Sequence, residues 1–222
     1  PVNLVGDGMK GRIAGLQVAT TDATPGSAPK FLIRGGSSIN NSNDPIVLVD
    51  GAVREMAGLN PNDIESIEVL KDAASAGIYG SRASNGVILI TTKKGKEGRV
   101  RVNYSNSTTF SHPFVMPKFQ NTYGTSEIEP MMSWGSKLAT PTSYDPADFF
   151  QTGFNETNSV GLSAGTERNQ TYASASAVNS RGIVPNNVYN RYNFSIRNTT
   201  MLIKDRLTLD VGATYMKQYT RN

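Results

Sequence analysis

The sequence predicts a small α+β domain followed by antiparallel β-strands of a transmembrane barrel. Three observations lead there. Leu59 to Gly95 reads as strand, small-residue helix, tight turn and strand, the most ordered stretch in the chain. From Val100 the apolar positions switch to strict alternation in segments of about ten residues, as a barrel wall between water and lipid requires. No apolar run approaches the roughly 18 residues of a membrane helix, an absence that leaves strands free to cross.

Composition narrows the choices further. The 222 residues are 37% hydrophobic, contain no cysteine and carry a formal charge of +4. Without cysteine there are no disulfides, no thiolate catalysis and no cysteine metal sites. The charge is that of an ordinary basic surface, and no zinc-finger, RNP or helix-turn-helix pattern points to nucleic acid. The chain starts at Pro1 without a basic-then-apolar leader, so a signal peptide is expected to lie outside it.

Residues 1–30 contain a misleading motif. Gly6-Asp7-Gly8-Met9-Lys10-Gly11 spells G-x-G-x-x-G, but a dinucleotide site needs a helix opening there and an acid about 20 residues on. Gly15 interrupts any such helix, Leu16 to Thr21 looks extended, and Asp22 comes too early. Pro25-Gly26 then turns the chain into a strand at Phe31-Leu32-Ile33, which stops at Arg34-Gly35-Gly36.

Ser37 to Asp44 is a polar loop whose amides and hydroxyls suit sugar hydroxyls or peptide amides equally well. Ile46 to Val49 is a short buried strand, and Asp50-Gly51 turns it toward Arg54, Glu55 and Met56, a second loop able to share the same apex. Ser38, Asn40, Asn41, Asn43, Arg54 and Glu55 are therefore the candidate substrate-binding residues.

In the central stretch Asn60 can cap a short helix with Pro61 at its first position, and Asp63 sits where a carboxylate favours exposed N–H groups. Ile64 to Leu70 supplies a strand, Lys71-Asp72 leads into the small-residue AASAG helix, and Ile78-Tyr79-Gly80 closes it. Asn85-Gly86 makes a tight turn before the apolar strand Val87 to Thr92. Arg34, Asp72 and Arg82 stand beside apolar runs and read as paired structural charges.

NPNDIESIEVLKDAASAGIYGSRASNGVILITTKKGK, together with FLIRGGSS and PIVLVDG upstream, closely resembles the plug-domain signature of SusC/RagA-like TonB-dependent outer-membrane transporters of the Bacteroidetes. Three blocks in order make this more specific than any single motif. The likeness is strong from Met9 to about Arg99 and looser beyond, and GRIAGLQV becomes the entry segment of the plug.

The resemblance implies a plug domain at residues 1–98 and the first strands and outer loops of a barrel at 99–222, part of a 22-stranded plugged barrel. It also implies import of oligosaccharides or oligopeptides, a SusD-like surface lipoprotein as lid, and energy coupling through TonB by a segment absent here. It implies neither cofactor nor metal.

Lys93, Lys94, Lys96, Arg99 and Arg101 form a basic exit that reads as a solvated hinge; the glycine spacing excludes a P-loop. Beyond it Val102/Tyr104/Thr108/Phe110 alternate with Arg101/Asn103/Ser105/Ser107/Thr109. The pattern returns around Val160–Ala164, Tyr192–Ile196 and Leu207–Tyr215.

His112 to Gln151, with Trp134, Tyr144 and Phe149, suits a long outer loop with a short helix. Asn169-Gln170 is expected in a tight turn, and Asn179 to Asn190 in a turn region. Four or five such strands leave open edges and an apolar face, so a longer barrel is expected to close them.

An enzyme finds no support: His112 is the only histidine, and no acid pair or nucleophile elbow stands out. The alternative is a secreted or surface glycan-binding adhesin, for which the Asn-x-Ser/Thr sequons at Asn103, Asn106, Asn169 and Asn198 would be glycosylation sites. That alternative leaves the plug signature unexplained.

Overall fold

The computed structural model describes residues 4–20, 26–33, 43–71, 77–80, 83, 85–125, 131, 133, 135–204 and 206–221. Arg34, Ser38, Asn40, Asn41, Asp72, the AASA run, Arg82 and Trp134 lie outside these described residues.

The G-x-G-x-x-G segment holds a single-turn helix, α1 (Val5–Met9), whose Val5 and Met9 are buried in the core. It ends well before β1 (Leu16–Ala19), which pairs antiparallel with β2 (Lys30–Ile33) as a separate ribbon. β3 (Ile46–Val49) and β4 (Ala52–Val53) form a hairpin through Asp50-Gly51, with φ of 51° and 84°. Two left-handed residues between paired strands are what a tight two-residue hairpin turn demands. The turn carries a second consequence, because it aims the Asp50 carboxylate out of the sheet.

Asn60 caps a 3₁₀ turn at Pro61–Asp63, its side chain accepting from the Asn62 N–H at 3.1 Å. β5 (Ile64–Leu70) follows, then a 3₁₀ turn at Gly77–Tyr79 and β6 (Val87–Thr92). The four strands order as β4-β3-β6-β5, with β3 and β6 parallel and the other pairs antiparallel.

β6 is covered on both sides, which is why it reads as one apolar run rather than an alternation. Ile88 and Ile90 meet Val49, Leu16, Ile33, Met56 and Leu59 on one face, while Val87 meets Leu48 and Ala83 on the other. Gly86 admits this packing: its φ is +90°, and a Cβ there would lie 2.7 Å from the Ile33 side chain.

Five long antiparallel strands make the second sheet in simple up-and-down order: β7 (Gly98–Ser111), β8 (Gly153–Gly165), β9 (Asn169–Arg181), β10 (Val188–Ile203) and β11 (Leu207–Arg221). The expected turn at Asn169-Gln170 lies one step earlier. Gln170 already pairs with Gly165, and Thr166 closes the turn by bonding Asn169 in both directions. The region Asn179 to Asn190 does hold a turn, at 182–187, but its two flanks are strand, with Arg181 paired to Val188. Polar residues on an alternating strand look like loop when read singly; ladder pairing decides otherwise.

The turns at 166–168 and 204–206 are short, and the connections at 112–152 and 182–187 are longer. The long connection contains a 3₁₀ turn at Pro146–Phe149 capped by Asp145. Short turns at one end and longer loops at the other are the polarity of an outer-membrane barrel.

Candidate functional site: the seam between plug and wall

Side-chain direction alternates along each long strand, so one face must look at the α+β domain and the other away. The polar residues Ser159, Tyr172, Ser174, Arg191, Asn193 and Arg197 fall on the inner face, where each bonds the small domain. The outer face carries Phe110 and Phe154 in ring contact at 5.5 Å and the exposed Val160, Leu162, Phe194, Ile196, Leu209 and Val211.

Two groups of side-chain bonds at the seam stand out among the described residues, beside the Lys96 N–H that donates to Ser163 Oγ at 3.0 Å. The first is the segment 57–63. Asn60 donates to Ser159 Oγ at 3.3 Å, Asn193 donates to the Gly58 carbonyl at 2.7 Å, and Arg191 to that of Ala57 at 3.2 Å. Asp63 does not serve the N–H groups of its own turn, as its position suggested. It is buried, and its carboxylate accepts from the Tyr172 hydroxyl at 3.0 Å and from Ser174 Oγ at 2.6 Å. A buried carboxylate needs such donors, and the wall strand supplies both.

The second attachment is ionic. Arg197 of β10 grips Asp210 of β11 through two parallel bonds of 2.8 Å, and its remaining amine reaches Asp50 Oδ1 at 2.8 Å and Thr92 Oγ1 at 2.7 Å. Asp50 also accepts from the Thr92 N–H at 3.0 Å and the Thr92 hydroxyl at 2.6 Å. Lys94 closes the circuit on Asp210 at 3.0 Å. Plug and wall charges thus alternate in sign, Lys94, Asp210, Arg197, Asp50. Burial alone would raise the Asp50 carboxyl, but the two Thr92 donors and the Arg197 guanidinium together hold it below its ordinary value.

Around these groups lies a cavity of about 320 Å³ lined by, among others, Asp50, Arg54, Asn60, Asn193, Arg197 and Asp210. Its Asn193 Oδ1 is buried without a hydrogen-bond partner. Such a space can hold water or a small polar group; it brings together charges already paired with one another, not an acid–base couple. Among the described residues no cluster of three metal-ligating side chains occurs, and His112 meets Thr152 Oγ1 at 3.4 Å.

Of the candidate binding residues within the described chain, Arg54 is exposed and lines this cavity, its N–H bonded to the Val47 carbonyl. Glu55 beside it is exposed, and Asn43 is half-buried with a partner of its own. Ser38, Asn40 and Asn41 are the ones outside the described residues.

Sequence reading passed over Asp50, Asn60, Asp63, Tyr172, Asn193, Arg197 and Asp210 as contact residues. The available signal was charge on the inner face: Arg191, Arg197 and Asp210 stand in rows whose neighbouring members are Asn193, Ser195, Thr199, Thr208, Gly212 and Thr214. In the outer connection, Tyr144 and Phe149 are exposed, and the Tyr144 ring stands 6.4 Å from that of Phe119 beside a groove of about 700 Å³.

A family model described as TonB-dependent Receptor Plug Domain matches residues 1–87. The chain is 34% identical to the TonB-dependent receptor SusC of Bacteroides thetaiotaomicron, an alignment covering 97% of this chain and 23% of that receptor. A TonB-dependent receptor of Formosa agariphila is 50% identical over 99 residues, which are 43% of this chain and 10% of the relative.

Among solved structures, the RagAB peptide importer in its open-open state superposes with a TM-score of 0.82 at 24% identity, covering 100% of this chain and 29% of that one. The siderophore receptor PirA from Pseudomonas aeruginosa gives 0.60 at 20% identity, covering 98% and 32%. This chain therefore spans about a quarter or less of the length of these curated relatives.

Proposed function

We propose that the chain, matched over residues 1–87 by the TonB-dependent receptor plug-domain model and 34% identical to SusC, forms the plug and opening wall of a SusC/RagA-like outer-membrane importer of nutrient oligomers. The observation that carries this reading is the seam. A folded four-stranded domain is fastened to the inner face of a strand wall by bonds that can be broken and remade. A barrel wide enough for oligomers is unselective, so the plug must close it and yield on demand.

The two unpaired edges, β7 and β11, and the apolar outer face require further strands in a hydrocarbon setting. In this proposal a periplasmic TonB protein pulls on the plug from its N-terminal side and a SusD-like lipoprotein covers the outer mouth. The cargo is an oligosaccharide or an oligopeptide. The amide- and hydroxyl-rich groups Ser38, Asn40, Asn41 and Asn43, with Arg54 and Glu55, would meet it from the plug, chemistry that suits either class.

Growth of a strain lacking the receptor, on defined oligosaccharides or oligopeptides as sole carbon source, tests the import reading. Loss of growth on one class, restored by the gene, is expected; equal growth on every source with and without the receptor removes it. Replacing Asn40, Asn41 and Arg54 together by alanine should weaken binding of that cargo while the receptor still assembles. Unchanged affinity in the assembled variant would take these loops out of the site.

A further inference from the structure

The outer face of the strands ends, at its loop side, in unpaired cations. Alternation and register place Arg181 of β9, together with Lys217 and Arg221 of β11, on the face away from the plug. Arg181 pairs with Val188 on β10 and Val188 with Arg221, so the two arginines flank one residue on the same row. They stand two strand spacings apart, about 10 Å, and Lys217 is four residues back along β11, about 13 Å.

All three are exposed, and their side chains make no hydrogen bond or ion pair with the described residues. The acid nearest this patch on the same face is Glu156 of β8, which pairs in register with Asn179 and makes no ion pair. Immediately below the two arginines, and around Lys217, lies an aromatic band of Tyr192, Phe194, Tyr215 and Tyr219, each about half exposed or more; Tyr192 is the register partner of Lys217.

This order has a physical reading. Below the aromatics come Ile196, Val211 and Leu209, the positions that face hydrocarbon; the aromatics mark the interface, Arg181 and Arg221 rise just above it at headgroup height, and Lys217 stands within it, level with Tyr192, from where its long side chain can reach up. Guanidinium groups bind phosphate through two parallel bonds, and an uncompensated pair of them with a lysine is a focused positive field. The end in question is the one with the longer loops, hence the outward end.

We propose that Arg181, Lys217 and Arg221 form a docking site for the phosphorylated sugar headgroup of an outer-leaflet glycolipid. Charge complementarity and depth together choose this occupant: a soluble anion would satisfy the cations but would have no use for the aromatic band beneath the arginines and around Lys217. The inference rests on the outer-membrane reading above and adds to it a specific lipid contact on the wall that also docks the plug. A lipid held across β9 to β11 would hold β10, and with it Arg197, at fixed depth.

The test uses the complete receptor in nanodiscs and a purified phosphorylated lipid A as probe, with its dephosphorylated form and inorganic phosphate as controls. Recovery of the receptor from the outer-membrane fraction is checked first, so that failure of the membrane reading is seen separately. Replacing all three cations by glutamine should weaken binding of the phosphorylated lipid by roughly 100-fold, at about fivefold per cation, and leave the dephosphorylated form unaffected.

A second variant, R181K/R221K, keeps the charge but loses the paired bonds, so intermediate binding is expected from a receptor whose fold is less disturbed. Equal binding of both lipid forms, unchanged affinity in the glutamine variant, or full displacement by millimolar inorganic phosphate would overturn the proposal.

Discussion

Removing Arg197 is the sharpest perturbation of the seam. Its side chain is 14% exposed, against 24% for Asp50 and 30% for Asp210. Fully exposed ion pairs contribute about 0–1 kcal/mol, whereas removing one partner of a buried pair costs about 3–5 kcal/mol. With these exposures between the limits, and two carboxylates left facing each other, Arg197→Met should weaken the ionic attachment by about 2 kcal/mol.

The Thr92 N–H reports this directly, because it donates to Asp50. Its hydrogen-exchange protection in the complete receptor should fall roughly 30-fold, since about 1.4 kcal/mol is a factor of ten. The sign of the pH dependence follows from Asp50, whose carboxyl is lowered in the folded state. Its contribution is fully present above the unfolded value of about 4 and is lost as pH falls through the lowered folded value. After correction for intrinsic exchange, protection should decline only at the acid end, and Asp50→Asn should abolish that decline. Equal protection in wild type and Arg197→Met near neutral pH would refute the latch.

The two other tests concern backbone approach and burial in the same seam. Asp63→Ala leaves the Tyr172 and Ser174 hydroxyls without their acceptor and should cost about 3 kcal/mol of plug attachment, read as faster proteolysis of the plug; Asp63→Asn, which keeps one acceptor, should lose about half. At Gly95 a Cβ would lie 2.4 Å from the Thr171 backbone nitrogen, so Gly95→Ala must push the exit segment off the wall. A lower melting temperature corresponding to about 1–3 kcal/mol is expected, and an unchanged one would contradict the close approach.

Local chemistry made much of this fold legible. Asn60-Pro61 announces a capped turn because only neighbours are involved, and Asp50-Gly51 and Asn85-Gly86 announce their bends through the left-handed conformations they tolerate. The apolar run Val87 to Ile90 announces a strand covered on both sides, and alternation from Val100 onward announces a two-faced wall. These signals are carried by period and by single residues, so a sequence by itself determines them.

Partnership is different in kind. Asp63 and Tyr172 are 109 positions apart, Thr92 and Arg197 are 105, and nothing local records that they meet. Asp63 looked like a helix-end charge because its neighbours could not reveal Ser174 and Tyr172 opposite. Asn179 to Asn190 looked like turn throughout because its polar residues are those of loops, and only the ladder closing at Arg181 and Val188 makes its flanks strand. Which inner-face polar groups fasten the plug, and which outer-face cations gather at the aromatic band, is decided by strand register. One residue of slip would exchange the two faces, so only the tertiary structure could assign them.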